Sequence, residues 1–209
     1  SSSNYFNYLK DQDLAEKANL ISVDRLGYGF SDYGNAETSI EKQAESIFTI
    51  IEKNELDNVI VVGWSFGVAI AAKMAYKYSE IKGSVLIAGA ISPKDEKFFG
   101  IAKVTQWKLT KWMVPKIFMV ADEEKRSHVA ELSKMLPNWK AIKSPITYYH
   151  GTKDKIVPYA NMDFIKLKVH DSILKDVTIK GGSHFIISKE YIMVKKELLK
   201  ILEPLANLK

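Results

Sequence analysis

The run Val59-Ile60-Val61-Val62 constrains the fold of this chain more than any other segment. A strand exposed on one face alternates apolar and polar residues, whereas a strand buried on both faces is apolar throughout. Further strand patterns occur at Leu20–Val23, Ser84–Ala88, Ile146–Tyr149 and Asp176–Ile179, and longer helical patterns separate them. This alternation predicts an α/β domain with a mainly parallel sheet flanked by helices.

The length and composition agree with one folded domain over residues 1–209. The chain is 46% hydrophobic and 26% charged, which excludes disordered, collagen-like and coiled-coil classes. No apolar run reaches the roughly 18 residues that a membrane span needs. The net charge of +5 comes from scattered lysines, and no nucleic-acid-binding motif is present, so we expect neither a membrane span nor a nucleic-acid partner.

The absence of cysteine excludes disulfides, a thiolate nucleophile and Cys-ligated zinc. We expect no metal and no cofactor. A reducing, cytoplasmic compartment fits this composition. The Ser1-Ser2-Ser3 start is not a signal peptide. Export would require a signal upstream of Ser1.

The segment from Pro93 to Pro145 breaks the alternation because it contains no convincing strand. It shows two helical patterns, near Glu96–Met113 and Glu123–Leu136, and it is rich in aromatic residues. We interpret it as a helical insertion that lies over one edge of the sheet.

The pentapeptide Gly63-Trp64-Ser65-Phe66-Gly67 follows the run Val59–Val62 and opens an alanine-rich helix. A serine in such a strand–turn–helix setting is held exposed at a helix N-terminus, where the next backbone N–H can stabilise an oxyanion. We expect both glycines to relieve crowding in the turn. The alternative is a glycine-rich turn with an incidental serine.

A nucleophilic serine needs a base and an acid that orients the base. His184 lies in a glycine-rich loop after the last strand pattern, and Asp154 lies in a turn after the preceding one. The chain order Ser65, Asp154, His184 is the order used by one class of serine hydrolase. Asp95 is the alternative acid.

Four motifs together resemble the α/β-hydrolase superfamily, in its capped esterase, haloperoxidase-like and proline-iminopeptidase-like branch. They are the loop Asp24–Ser31, with Leu26 where proline is usual, the pentapeptide Gly63–Gly67, the acid turn Gly151–Pro158 and the histidine loop Gly182–His184. The resemblance implies a Ser65/Asp154/His184 triad and a helical cap at about residues 93–143. It also implies a serine rather than an aspartate nucleophile.

The oxyanion site is predicted only in part. The Phe66 N–H is one donor, and the second donor of this family is expected upstream of Ser1. In the family's sheet order the third strand lies between the fourth and fifth, which we assign to Leu20–Val23 and Val59–Val62. We therefore expect the N-terminal strands to be absent from this chain, with roughly 40–70 further upstream residues in an N-terminally incomplete domain.

The predicted function is hydrolysis of a small carboxylic ester by a serine hydrolase. The predicted substrate pocket consists of Trp64, Trp107, Trp112 and Trp139. An aminopeptidase or amidase of the same fold is an alternative and would need an acidic group to hold an amine, from Asp122, Glu123 or Glu124. A further alternative is a non-catalytic binding protein on a hydrolase scaffold.

Overall fold

The computed structural model describes residues 2–97 and 114–206. The strands are β1 (Val59–Trp64), β2 (Ile81–Ile87), β3 (Ile146–Gly151) and β4 (Leu174–Ile179). The α-helices are α1 (Phe6–Leu9), α2 (Gln12–Ala15), α3 (Ile40–Lys53), α4 (Gly67–Lys77), α5 (Lys116–Met135), α6 (Ala160–Lys168), α7 (Ile186–Lys189) and α8 (Tyr191–Ala206). Single 3₁₀ turns lie at Ser2–Tyr5 and Trp139–Ala141.

The four strands form one parallel sheet in the order β1-β2-β3-β4. One row across the sheet pairs Gly63 with Leu86, Leu86 with Tyr148, and Tyr148 with Asp176. The predicted α/β fold with a parallel sheet is thus confirmed. Because all strands run in one direction, their carboxyl ends meet at the same edge.

Apolar side chains cover both faces of the sheet. On one face, Leu86 and Tyr148 pack in a cluster with the buried sides of α3 and α4. On the other face, Val85 and Tyr149 pack with α8, where Leu198 is buried. Neighbouring residues of a strand point to opposite faces, so a strand between two helical layers is mostly apolar along its length.

The prediction of a strand at Leu20–Val23 is wrong. These residues form no regular element, although they lie near the sheet. A cavity of about 770 Å³ is lined both by this segment and by β1, and it extends to Ser65. A strand is defined by hydrogen bonds to a neighbour, and among the described residues no strand pairs with β1 on the side away from β2. The local sequence is strand-like, but it has no partner strand among the described residues.

Helix α5 corresponds to the second of the two predicted helical patterns in the insertion. The first pattern, Glu96–Met113, lies mostly outside the described residues. Two buried carboxylates tie α5 to the rest of the domain. Glu124 accepts two hydrogen bonds from the Arg25 guanidinium, and Glu131 accepts one from the Ile40 N–H at the start of α3. The cap at about residues 93–143 remains a prediction.

The packing of α5 onto the core predicts a large effect of Leu132→Ala. Leu132 is fully buried in the same cluster as α4, so its truncation should lower the free energy of unfolding by about 2–5 kcal/mol. The control is Leu167→Ala in α6, where the side chain is 74% exposed and a change within ~0.5 kcal/mol is expected. Urea unfolding measures both. Equal losses in the two variants would contradict the placement of α5.

Candidate active site

Ser65 occupies a strained turn directly after β1. Its φ is +56°, a left-handed conformation that is unfavourable for a residue with a side chain. The Ser65 N–H donates to the Ile87 carbonyl at 2.9 Å, and the Ser65 carbonyl accepts from the Val68 N–H at 3.1 Å. The strand on one side and α4 on the other therefore hold the serine at the carboxyl edge of the sheet.

Only one of the two glycines in the pentapeptide relieves crowding. A Cβ on Gly63 would lie 2.7 Å from the Gly67 carbonyl oxygen and 2.9 Å from the Val68 Cα. A Cβ on Gly67 would meet no described atom within 4 Å. The expectation that both glycines are needed is thus corrected, because the strand approaches α4 closely at Gly63 and Gly67 faces open space.

The predicted nucleophile, base and acid lie in hydrogen-bonding order. Ser65 Oγ is 2.9 Å from His184 Nε2, and His184 Nδ1 is 2.8 Å from Asp154 Oδ2. The other carboxylate oxygen, Oδ1, accepts from the Ile156 and Val157 N–H groups at 2.8 Å each. Asp154 is therefore oriented by its own turn, with one oxygen left for the imidazole. This arrangement can transfer a proton from the serine to the histidine.

The environment of Asp154 favours its charged form. Burial alone would raise the pKa of its carboxyl, but the hydrogen bonds from His184, Val157 and Ile156 and the nearby imidazole outweigh burial and lower the pKa below its ordinary 3.8. The alternative acid, Asp95, instead accepts a hydrogen bond from the Ser92 hydroxyl at 2.5 Å. The structure thus brings Asp154, and not Asp95, to His184.

Two of the four predicted pocket tryptophans, Trp64 and Trp139, lie within the described residues, and they have different environments. Trp64 lies beside His184: its Nε1–H donates to the His184 carbonyl at 2.9 Å, and its ring is 5.3 Å from the imidazole. Trp139 is buried in the core against Phe164, so the structure places it in packing and not in a pocket around Ser65. Trp107 and Trp112 lie outside the described residues.

Phe66, whose backbone N–H is the predicted oxyanion donor, follows Ser65 in the turn. The first N–H groups of a helix have no acceptor within the helix, and Phe66 immediately precedes α4. Its ring stacks on His128 at 4.4 Å, and the Arg25 guanidinium lies 4.5 Å from the ring centroid. The second donor, predicted upstream of Ser1, lies outside the described residues.

A buried polar network around Phe66 was missed by the sequence analysis. Glu124 of α5 accepts from Arg25, from the Tyr28 hydroxyl at 2.6 Å and from Gln43 Nε2 at 3.3 Å. Arg25 and Tyr28 belong to the loop motif Asp24–Ser31, which was the only available signal. Nothing in the sequence pointed to Glu124 as their partner, 99 residues away from Arg25.

A second buried pair contacts Phe66 through the ring of His128. His128 Nδ1 of α5 is 2.9 Å from Glu96 Oε1, and Lys125 also pairs with Glu96. Burial would raise the pKa of Glu96, but its hydrogen bonds to His128 and Lys125 lower it. The ring of Phe66 therefore contacts two side chains whose positions are fixed by buried carboxylates.

Two negative findings apply to residues 2–97 and 114–206. No group of three or more His, Cys, Asp or Glu side chains there could hold a metal ion. None of the helices in these ranges combines the length and the apolar character required to cross a membrane.

Residues 1–125, more than half of the chain, match the sequence profile of a family described as alpha/beta hydrolase fold. The uncharacterized protein Mb2734 of Mycobacterium bovis is 27% identical over 77 residues, which are 37% of this chain and 23% of that protein. The chain thus spans under a quarter of the length of this curated relative.

Solved structures with the same fold are more distant in sequence. An esterase from Exiguobacterium antarcticum is 19% identical with a TM-score of 0.71, over 96% of this chain and 87% of that one. A monoacylglycerol lipase from Paleococcus ferrophilus is 18% identical with a TM-score of 0.72, over 100% of this chain and 90% of that one. At these identities the likeness concerns the fold.

The difference between the two glycines can be tested directly. Gly63→Ala forces a methyl group against the backbone of the turn and of α4, so we expect a loss of stability of about 1–3 kcal/mol. Gly67→Ala adds the same methyl group in open space, where replacing glycine in a helix is neutral or stabilising by up to ~1 kcal/mol. Urea unfolding of both variants checks this. A loss at Gly67 as large as that at Gly63 would contradict it.

The lowered pKa of Asp154 predicts a pH dependence of stability. A group whose folded pKa lies below its unfolded value stabilises the protein above the unfolded pKa, and this contribution is lost as the pH falls through the folded pKa. The difference in unfolding free energy between wild type and Asp154→Asn should shrink as the pH falls from about 5 to below about 4. Urea unfolding at a series of pH values measures it. A difference that grows on acidification would refute the assignment.

Proposed function

The chain belongs to the alpha/beta hydrolase fold family, and on that premise we propose that it is a serine hydrolase that cleaves a small carboxylic ester. The observation that carries the proposal is the pair of hydrogen bonds from Ser65 through His184 to Asp154, at 2.9 and 2.8 Å. The esterase and lipase names of its structural neighbours favour the same reaction class.

The reaction proceeds in two steps. Ser65 Oγ attacks the ester carbonyl carbon while His184 Nε2 takes the hydroxyl proton, and the tetrahedral intermediate then collapses as the imidazolium returns the proton to the leaving alkoxide. The serine is left acylated. A water molecule, deprotonated by His184, attacks the acyl carbon and releases the carboxylic acid together with free Ser65.

Two groups stabilise charge during these steps. The Asp154 carboxylate faces Nδ1 of His184, so it favours the imidazolium and fixes the tautomer whose Nε2 can accept the serine proton. The Phe66 N–H faces the developing oxyanion, a kind of interaction that is worth roughly 3–4 kcal/mol per donor.

Ester cleavage is favoured over aminopeptidase activity by the state of the three cap carboxylates. Glu124 is bound to Arg25, and Asp122 pairs with Arg126. Glu123 is exposed on the surface of α5. An aminopeptidase would need one of these carboxylates to bind the substrate ammonium group. Two of them are already neutralised by arginines, which disfavours that alternative.

A purely binding role is disfavoured by the strain at Ser65. A left-handed conformation at a residue with a side chain costs on the order of 1–3 kcal/mol, and such strain is concentrated at functional sites. A binding protein has no need for a strained serine aligned with a histidine and a carboxylate.

The proposal predicts covalent labelling of one serine. A fluorophosphonate probe should label wild type at Ser65 and should not label Ser65→Ala. The esterase rate of Ser65→Ala should be at least a thousandfold lower than that of wild type. Ser133→Ala, which removes an exposed hydroxyl from α5, is the matched control and should label normally. Gel fluorescence and p-nitrophenyl acetate hydrolysis provide the readouts.

Absence of labelling in wild type would overturn the proposal and favour the binding-protein alternative. Comparison of p-nitrophenyl esters with aminoacyl anilides then separates esterase from aminopeptidase. Faster cleavage of the anilides would reject the ester assignment while leaving the nucleophile in place.

A further inference from the structure

A second histidine is completely buried beside the acid of the triad. His150 is the residue before the end of β3, and its Nε2 is 3.6 Å from Asp154 Oδ2. The same Nε2 is 3.1 Å from the Val157 carbonyl oxygen, and Nδ1 is 3.0 Å from the Tyr148 hydroxyl. The mechanism above gives this imidazole no role.

The contacts of His150 determine which ring nitrogen carries the proton. Val157 offers a carbonyl, which only accepts, so Nε2 must donate to it. In a neutral imidazole Nδ1 is then an acceptor, and the Tyr148 hydroxyl donates to it. The Gly89 carbonyl, 3.1 Å from the same hydroxyl, competes for that single proton. A neutral ring thus carries its one proton on Nε2 and donates it to the Val157 carbonyl.

The surroundings of His150 support the neutral form. The groups that face the ring are Tyr148 from its own strand, Asp154 from the acid turn, His184 from the loop after β4, and the Tyr159 ring at 5.8 Å. Burial lowers the pKa of His150, and the neighbouring His184 lowers it further, against the opposing effect of Asp154 and Val157. A neutral His150 does not compete with His184 for the electrostatic interaction with the Asp154 carboxylate.

Val157 is held from two directions. Its N–H donates to Asp154 Oδ1 at 2.8 Å, while its carbonyl accepts from His150 Nε2. The imidazole and the carboxylate therefore fix the same residue of the acid turn. If the carbonyl were released, the turn could shift and the carboxylate could rotate, and the bond from Oδ2 to His184 would lengthen.

We propose, on the basis of the proposed function, that His150 is a positioning residue of this active site. Its Nε2–H holds the Val157 carbonyl and so keeps Asp154 Oδ2 directed at His184. It does not touch substrate and transfers no proton in the reaction. Its effect passes through the acid turn to the orientation of the base.

Two substitutions separate positioning from packing. In His150→Gln the side-chain amide places an N–H near the former Nε2 and can still donate to Val157. In His150→Asn the shorter amide reaches Tyr148 but not Val157. Both amides are polar and uncharged, but Asn leaves a larger cavity at this buried site. A purely structural role therefore predicts a loss of stability in His150→Asn with no change in the acid limb of kcat/KM or in the His184 NMR signal. Tyr148→Phe is the control that leaves the Val157 contact in place.

We expect the rate of fluorophosphonate labelling and kcat to fall roughly 10–100-fold in His150→Asn with KM unchanged, because a displacement of about 1 Å at a catalytic group has effects of this size. His150→Gln and Tyr148→Phe should stay within about threefold of wild type. The acid limb of kcat/KM should move to lower pH in His150→Asn alone, because a misdirected Asp154 stabilises the imidazolium less.

Proton NMR provides a readout that does not depend on catalysis. The hydrogen-bonded Nδ1–H of His184 should give a downfield signal in wild type and His150→Gln, and the signal should shift upfield or vanish in His150→Asn. Equal rates, equal acid limbs and an unchanged signal in the two His150 variants would overturn the proposal. If wild type is not labelled, the proposed function fails, and the NMR comparison alone then decides the role of His150.

Discussion

The parallel direction of the strands is the constraint on which the rest of the site depends. It brings the loops after β1, β3 and β4 to one edge, and these loops carry Ser65, Asp154 and His184. Neighbouring strands are about 4.8 Å apart, so β4 lies roughly 14 Å from β1. The histidine loop must cross that distance to reach the serine. The hydrogen bond from Trp64, the last residue of β1, to the His184 carbonyl holds the loop at the far end of this span.

The segments that meet on Phe66 connect this edge to the insertion. Arg25 arrives from the loop before α3, and His128 arrives from α5. Each is fixed by a buried carboxylate, Glu124 and Glu96 respectively. A charge buried without its partner is strongly destabilising, so these pairs specify where the segments sit more than they add to net stability. Both segments thereby contact the ring of Phe66, the residue that follows Ser65.

The α/β fold and the grouping of Ser65, Asp154 and His184 could be predicted because they depend on short motifs and chain order. The failures depend on information that a local sequence does not contain. Leu20–Val23 is strand-like, but strand formation requires a neighbour. Trp139 was predicted to line a pocket because it is aromatic, but it packs in the core. Residue type does not reveal which way a side chain faces. The ion pair between Arg25 and Glu124 joins two segments that are distant in the chain. The sequence contains many charged residues, and nothing in it indicates which of them pair.

The attachment of α5 limits how far this helix can move relative to the rest of the domain. Displacement of this helix would separate Glu124 from Arg25 and Glu131 from the Ile40 N–H. A buried carboxylate that loses its partner costs several kcal/mol. At that cost the arrangement with α5 displaced would hold only a small fraction of the molecules. Helix α5, and with it the His128 ring that stacks on Phe66, therefore stays in place in nearly all of them.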